Sequence, residues 1–343
     1  MKNKYTKFKP HLLALDRPNQ GITLMELLTG TMVSSIIINL GFMGFSLSRQ
    51  MYLQDQQTND VNQALRIVFE MVGADIRQAG EGFAEDPNFP SVVVTKDDDG
   101  NSEISIRRSV LSISLPVCRR VVSGTTEEVM VVDETGSIAG CDVIEKDNGW
   151  PDSLDSWRDY RTSNGSTVRA FIYDGVGNGE FFDYAGEKTF AEDGSTVTPS
   201  PDAVASASIT TDRHRWENTY EANGSSRIYL IEERHYRLEN NRLQLTLDNN
   251  PDDTSTIVGN LETFQIITHI QQDLSATSSQ RYTCTVIPPQ KSTDCNVTLP
   301  NDYVWSQIKF LEIKSKVLIN DSSSFALETE QSQKVFPRNI LNY

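Results

Sequence analysis

A single carboxylate, Glu26, lies within an otherwise apolar run and is the side chain with the clearest chemical potential in this sequence. The run from Ile22 to Leu47 covers 26 residues, and Glu26 is its only ionisable group. At about 1.5 Å per residue, a helix of that length crosses the hydrocarbon core of a bilayer. A carboxylate placed there costs about 2.5–3.5 kcal/mol on insertion scales, which marks it as a functional site by default.

The segment before the run is basic and ends in a glycine. Residues 1–21 contain five Lys or Arg side chains and one Asp, and their last residue is Gly21. An ordinary secretory signal has a shorter apolar core, of about 7–15 residues, and a small-residue cleavage site after it. Here the small residue comes first. A plain single-pass anchor with a cytoplasmic basic leader is the stronger alternative. In such an anchor the Glu26 side chain would extend to the membrane–water interface, or it would interact favourably with the positive end of the helix dipole. A buried helix of a soluble domain is a third.

The stretch Gly21-Ile22-Thr23-Leu24-Met25-Glu26 resembles the prepilin signature of type IV pilins and type II secretion pseudopilins. The resemblance implies that a prepilin peptidase removes residues 1–21 as a cytoplasmic leader, cutting between Gly21 and Ile22. It also implies N-methylation of the new amino terminus at Ile22. Glu26 then becomes the fifth mature residue and the assembly contact, because its carboxylate pairs with the amino terminus of a neighbouring subunit. One departure is the first mature residue, which is phenylalanine in most members.

The helix is predicted to continue beyond the membrane. Apolar residues recur at spacings of three and four, which is typical of an amphipathic helix: Val61, Leu65, Val68, Val72, Ile76 and Ala79. Gly80 and Gly82 end the pattern. We therefore predict one helix over residues 22–80, with 22–47 in the membrane and the second half packed on a domain. The block from Asp75 to Gly80 also resembles the one that closes this helix in PilW-type minor pilins.

Residues 81–343 are predicted to form a β-rich globular head with insertions. Segments with strand patterns are Ser91–Thr95, Glu103–Arg107, Glu128–Val132, Arg169–Tyr173, Ile228–Leu238, Arg242–Leu247, Thr263–Ile270 and Ile308–Leu318. Asn240-Asn241 predicts a hairpin turn, Lys96–Ser102 and Asp248–Ser255 acidic turns, and Glu187–Ala207 a surface loop. No clean linker divides the head. The predicted fold class is α+β: a long N-terminal helix packed on an enlarged antiparallel β-sheet, as in pilins.

The four cysteines, Cys118, Cys141, Cys284 and Cys295, all follow the apolar run and form no Cys-x-x-Cys motif. The histidines lie far apart, so we do not expect zinc. Four cysteines allow three connectivities. We favour the sequence-local pairing of Cys118 with Cys141 and Cys284 with Cys295, with reduced buried thiols as the alternative. Each bond would stabilise the fold by about 2–4 kcal/mol in an oxidising compartment.

A glycine-rich segment is the one candidate for holding a hard cation. Its oxygen-bearing side chains are Asp174, Asn178, Glu180 and Asp183, and Ca²⁺ prefers six to eight oxygen ligands. The spacing does not match an EF-hand, since no acid occupies the twelfth position. A glycine-rich hairpin between two aromatic strands explains the composition equally well. No other cofactor is expected.

Motifs and charge argue against an enzyme and against direct nucleic-acid binding. The sequence has no Gly-x-Ser-x-Gly elbow, His-Glu-x-x-His pair or Walker loop. The acidic pairs Glu127-Glu128 and Glu232-Glu233 are expected to face solvent. The formal net charge is −16, and removal of a leader with five positive and one negative side chains leaves about −20. Such acidity does not suit binding to a polyanion.

The resemblance implies a minor pilin that initiates or modifies a type IV pilus. Its expected location is the bacterial inner membrane, in a single pass with the head outside the cytoplasm, and then the filament. Expected partners are the prepilin peptidase, other major and minor pilins or pseudopilins, the inner-membrane assembly platform and lipid. Because Glu26 is present, we expect another subunit above this one. The tail Val335–Asn339 resembles both PilW-type and general secretion pathway J-type proteins, so a minor pseudopilin is the alternative. An uncleaved binding module and an anchored hydrolase are more remote.

Overall fold

The computed structural model describes residues 22–83, 89–134, 138, 140–142, 148–200, 203–271, 281–289, 291, 293–298, 305–317 and 330–338. The chain divides into two compact units, Met1–Asp60 and Val61–Tyr343. The predicted leader, with Gly21, lies outside the described residues.

One long helix, α1, covers Leu24–Gln78. The prediction of a helix over 22–80 is confirmed to within two residues at each end. The chain leaves the helix through Gly80 and Gly82, whose φ values of 78° and 81° are in the left-handed region that glycine adopts readily. Within the first unit the large apolar side chains from Ile22 to Leu47 are 52–76% exposed. By length and apolar composition this helix can span a membrane.

The second half of α1 belongs to the second unit and forms part of its core. All six residues of the predicted apolar stripe are buried: Val61 is 6% exposed, and Leu65, Val68, Val72, Ile76 and Ala79 are fully enclosed. The prediction of a core-facing stripe is therefore confirmed.

The second unit contains three antiparallel sheets in its described residues. The five-stranded sheet has the order β1-β2-β9-β10-β11, with β1 Val92–Lys96, β2 Ser102–Ser109, β9 Ile231–Glu239, β10 Arg242–Leu247 and β11 Thr254–Gly259. The four-stranded sheet has the order β13-β12-β14-β15, with β12 Leu261–Gln271, β13 Arg281–Cys284, β14 Ile308–Val317 and β15 Glu330–Val335. The six-stranded sheet has the order β3-β8-β5-β6-β7-β4, with β3 Leu115–Pro116, β4 Val129–Asp133, β5 Val168–Tyr173, β6 Gly179–Phe190, β7 Ser206–Thr211 and β8 Arg227–Tyr229.

Shorter helical elements complete the unit. Helix α2 covers Asp152–Ser163, and two 3₁₀ turns cover Pro251–Asp253 and Trp305–Gln307. The α+β class is confirmed, but the described residues of the head form three sheets instead of one enlarged sheet, and α2 was not predicted.

Two strand predictions need correction. The segment Ile228–Leu238 is two strands, β8 and β9, which belong to different sheets. The chain changes sheet at Leu230, whose carbonyl accepts a hydrogen bond from the Val110 N–H at 2.8 Å. An alternating pattern continues through such a change, so periodicity cannot reveal it. The last residue of the predicted segment Ile308–Leu318 lies outside the described residues.

The prediction of a surface loop over Glu187–Ala207 is wrong at both ends. Strand β6 continues to Phe190 and β7 begins at Ser206. Thr189 is 2% exposed and Ala207 fully buried. Strand β7 lies between β4 and β6. Its first residues, Ser206, Ala207 and Ser208, are small, so the sequence lacks the large apolar side chains that usually mark a strand.

The predicted hairpin at Asn240-Asn241 is confirmed. The two residues have φ values of 50° and 59°, and Glu239 pairs with Arg242 on the other strand. Two consecutive left-handed residues are typical of a type I′ turn, which matches the twist of the flanking strands. The predicted turn after β1 is also present, closed by the Asp97 N–H to Asn101 O bond at 3.0 Å.

Within the part of the unit that the structure describes, apolar side chains form three clusters. The first joins the second half of α1 to the five- and four-stranded sheets. The second lies between α2 and the six-stranded sheet and contains the fully buried Trp157 and Tyr184. The third is a smaller, mainly aromatic cluster, made by Phe83, Phe89, Phe171, Tyr173, Phe181, Tyr229 and Ile231.

Two disulfide bonds are present, Cys118–Cys141 and Cys284–Cys295. This is the sequence-local pairing that we favoured. No described cysteine is free.

Candidate functional site

The first turn of α1 is closed by a reciprocal pair of residues, Thr23 and Glu26. The Thr23 hydroxyl accepts a hydrogen bond from the Glu26 N–H at 3.2 Å. In return, Glu26 Oε2 accepts from the Thr23 N–H and from the Thr23 hydroxyl, each at 3.2 Å. This arrangement is a capping box, in which two N–H groups that the helix leaves unpaired find side-chain acceptors.

The capping box gives Glu26 a local role that was not predicted from the sequence. The Thr-x-x-Glu spacing is itself the sequence signal for it. Glu26 remains exposed, as does Thr23. Only Oε2 takes part in the cap, and Oε1 accepts no hydrogen bond from any residue that the structure describes. The carboxylate can therefore bind a further donor while it caps the helix.

Of the two residues at the predicted cleavage point, the structure describes only Ile22. Ile22 is 76% exposed and directly precedes the capping box. Glu26 lies in the first turn of the helix, close in sequence to the amino terminus that a cut before Ile22 would create.

The predicted cation segment is a hairpin loop that satisfies its own carboxylate. Asp174 Oδ1 accepts from the N–H groups of Val176, Gly177 and Asn178 at 2.8, 2.9 and 3.0 Å. Asp174 Oδ2 accepts from the Asn178 side-chain amide at 2.7 Å. The alternative prediction of a glycine-rich hairpin is confirmed, because β5 and β6 pair on either side of this loop.

The other two calcium candidates have separate partners. Asp183 forms an ion pair with Arg169 at 2.9 Å. Glu180 accepts from the Glu217 and Asn218 N–H groups at 2.9 and 3.0 Å, and it also contacts His214 and Tyr220. In the described part of the chain, no three His, Cys, Asp or Glu residues are placed to hold a metal ion. We therefore propose no ion at these residues.

Glu180 holds the segment before β8 in place, and its pKa has a consequence for stability. Burial alone raises the pKa of Glu180, but the two N–H donors, with His214 and Tyr220, outweigh it and lower the pKa. An acid with a lowered pKa stabilises the fold above its ordinary pKa, near 4.3, and this contribution is lost as the pH falls below that value.

We expect Glu180→Gln to lower the free energy of unfolding at pH 7 by about 1–3 kcal/mol, because a carboxylate with four donors is replaced by a neutral amide. The loss should shrink as the pH falls below about 4, where the wild-type carboxylate is itself protonated. Urea unfolding at both pH values, followed by tryptophan fluorescence, measures the difference. An unchanged midpoint at pH 7 would contradict this role, and Asp193→Asn, at an exposed turn, is the control.

A serine–histidine–glutamate set lies on the five-stranded sheet and was not singled out from the sequence. Ser105 Oγ is 2.9 Å from His235 Nδ1, whereas His235 Nε2 is 4.0 Å from Glu103 Oε2. The second distance is too long for a hydrogen bond. Burial lowers the pKa of His235, which makes its ring a weaker base. A carboxylate that does not bond the ring cannot fix its orientation, which a triad requires.

A charged cluster joins α1 to the five-stranded sheet. Asp75 is 5% exposed, bonds Arg234 at 2.7 Å and also accepts from the Tyr236 hydroxyl. Arg234 in turn bonds Glu232. The expectation that Glu232-Glu233 face solvent is wrong for Glu233, whose side chain is 6% exposed and bonds Arg107 at 2.6 Å.

No family model, curated protein or solved structure matches this chain. The resemblance to pilins therefore rests on the residues from Gly21 to Glu26 and on the shorter blocks near Asp75 and Val335.

Proposed function

We propose that this protein is a minor pilin: a low-abundance subunit that is processed at Gly21–Ile22 and helps to initiate or modify a type IV pilus. The supporting observation is the helix α1. Its first part exposes apolar side chains along more than one membrane thickness and begins with a single carboxylate. Its second part is the centre of the head's first apolar cluster. A single helix thus contains both the candidate membrane span and part of the head's core.

The electrostatics of Glu26 supply the assembly step. An ionised carboxylate in hydrocarbon is unfavourable unless it is paired. Removal of the leader creates an ammonium group at Ile22, and the amine of one subunit can reach the free Oε1 of Glu26 in the next. The pair neutralises both charges and sets the axial register between subunits. Cleavage then acts as the condition for assembly, because the uncut chain has no amine at that depth.

Small and polar residues mark one side of the membrane segment. At about 100° per residue, eight positions fall within a sector of about 80° around the helix. Seven are small or polar and one is the apolar Ile37: Thr23, Glu26, Gly30, Ser34, Ile37, Gly41, Gly44 and Ser48. Small residues let helix backbones approach closely in membranes. Glu26 lies on this small-residue face, so the same face that carries the charge also suits close packing against neighbouring subunits.

We expect Gly41→Leu to reduce incorporation into filaments by about fivefold or more, because it blocks close packing of helices at that face. Outside the helix's own backbone, no described atom lies within 4 Å of a Cβ built at Gly41 or Gly44, so the described part of the subunit leaves space where the new side chain begins. Quantitative immunoblotting of sheared filaments against total membrane protein measures the effect.

Ser35→Leu, which adds a similar side chain outside this face, is the matched control and should be incorporated normally. Equal incorporation of both variants would show that the small-residue face does not contact other subunits.

A minor pseudopilin of a secretion system is the second candidate, because the tail from Val335 resembles both classes and the same helix and carboxylate would serve either. Shearing of surface filaments tests both. A minor pilin should be recovered at low abundance in the sheared fraction of cells that produce pili, and a pseudopilin should stay with the cell envelope. Absence of the chain from every filament and from every complex with other pilin-like subunits would overturn the proposal. A Gly21→Val variant, in which the cut is blocked, is the negative control.

A further inference from the structure

Residues 110–230 leave and re-enter the five-stranded sheet at adjacent points. Strands β2 and β9 are antiparallel neighbours, and Ser109 at the end of β2 lies opposite Ile231 at the start of β9. Val110 and Leu230 are joined by a backbone hydrogen bond of 2.8 Å. The pairing of β2 with β9 is therefore complete without the 121 residues between them, which is the usual geometry of an inserted domain.

The segment 110–230 also has a core of its own. Helix α2 and all six strands of the six-stranded sheet come from it. Every described member of the second apolar cluster lies within it, and no described member of the first cluster does. The disulfide bonds follow the same division, because Cys118–Cys141 lies inside the segment and Cys284–Cys295 lies outside.

The described contacts between the segment and the rest of the head include the aromatic cluster and a hydrogen bond from Arg169 Nε to Asp248 O at 3.4 Å. Phe89 packs its ring against Tyr229, Tyr173 and Phe171, with centroid distances of 4.7, 5.6 and 5.9 Å. The Arg107 guanidinium lies 4.7 Å from the centre of the Phe171 ring. These contacts attach the segment at one side of its sheet and do not merge the two larger cores.

We infer that residues 110–230 are an inserted domain that unfolds separately from the rest of the head, and that incorporation into a filament does not depend on its native fold. The second statement rests on the proposed function. A segment of this size is in the usual range for a domain that folds alone. Subunit packing then belongs to α1 with the five- and four-stranded sheets, and the inserted domain is free for contacts other than those between subunits.

Hydrogen exchange of the full-length protein in detergent under mild urea tests the separation. Leu154→Ala removes a fully buried side chain from the second cluster, and Ile266→Ala removes one from the first. We expect Leu154→Ala to accelerate exchange in β5 and β7 by about 30-fold or more. Exchange in β12 and β14 should change by less than about threefold, as for independent sites. Ile266→Ala should give the reverse pattern. Equal acceleration in both regions by either variant would overturn the inference.

Incorporation of the same variants, measured per membrane-resident molecule, tests the second statement. Leu154→Ala should be incorporated within about twofold of wild type, as expected for a site that is not coupled to assembly, and Ile266→Ala should be incorporated less. If Leu154→Ala lowered incorporation as much as Ile266→Ala, incorporation would depend on the native fold of the inserted domain, and the second statement would be overturned. If even the wild-type chain is absent from filaments, the proposed function fails, while the exchange result still decides whether the domain is separate.

Discussion

Replacing Glu26 by glutamine is expected to lower incorporation into filaments by at least about tenfold while leader removal continues. An unpartnered charge in a low-dielectric site costs about 3–5 kcal/mol, and each 1.4 kcal/mol is a factor of ten. Glutamine cannot form the ion pair with the amine of Ile22, so the neighbouring ammonium group stays uncompensated. Leader processing is read from the size of the membrane-bound chain, and incorporation from the sheared filament fraction.

The capping box makes this substitution more informative than truncation to alanine. Glutamine at the third helical position still accepts from the Thr23 N–H in a capping box, whereas alanine does not. If Glu26 serves only as a cap, Glu26→Gln should behave as wild type and Thr23→Ala should be as defective as Glu26→Ala. If its charge makes the assembly contact, Glu26→Gln should be nearly as defective as Glu26→Ala. Normal incorporation of both Glu26 variants would refute the pairing.

The second large effect is expected at Asp75, which joins α1 to the five-stranded sheet. Asp75→Ala leaves the buried Tyr236 hydroxyl without its acceptor and leaves Arg234 with Glu232 as its remaining partner. We expect a loss of about 2–3 kcal/mol in the free energy of unfolding. Hydrogen exchange of the β9 amides in the full-length protein measures this loss without relying on the inserted domain.

Two controls separate a buried network from an ordinary ion pair. Tyr236→Phe removes one hydrogen bond to Asp75 and should cost about 1 kcal/mol. Glu70→Ala removes an exposed pair on the same helix, with Arg66 and Glu70 side chains 76% and 62% exposed, and should cost less than about 0.5 kcal/mol. An Asp75→Ala variant as stable as Glu70→Ala would show that this charged cluster does not stabilise the packing of α1 on the five-stranded sheet.

The parts of the fold that depend on neighbouring residues were predictable from the sequence. The stripe from Val61 to Ala79 repeats at helical spacing, and the asparagine pair at 240–241 tolerates the left-handed backbone of a tight hairpin. Helix α2 was missed because only Leu154 and Trp157 of its twelve residues are buried, which leaves almost no apolar stripe to detect.

The division of the head was not predictable, since it depends on pairings far apart in the chain. Ser109 meets Ile231 across the sheet, and no local pattern marks either residue as the edge of a domain. Glu180 was ambiguous for a related reason, because its oxygens accept from the Glu217 and Asn218 N–H groups, 37 and 38 residues away in sequence.

At the start of α1 the two kinds of information complement each other. The lone carboxylate after Gly21 indicates an assembly contact through resemblance, and the structure adds the Thr23 cap, which occupies one oxygen of Glu26 and leaves the other available. The Thr-x-x-Glu spacing in the sequence indicates this cap. It was overlooked because a charge in an apolar run was interpreted only in terms of the membrane.

The most direct test of the whole account is the mass of the amino-terminal peptide of the protein recovered from the cells that make it. In the proposed assembly step, only a cut at this position supplies the amine for a carboxylate held at the same depth. We expect a chain that begins at Ile22 and carries one added methyl group on its amine. A membrane-bound chain that still begins at Met1 would contradict the account, because no ammonium group would then exist to pair with Glu26.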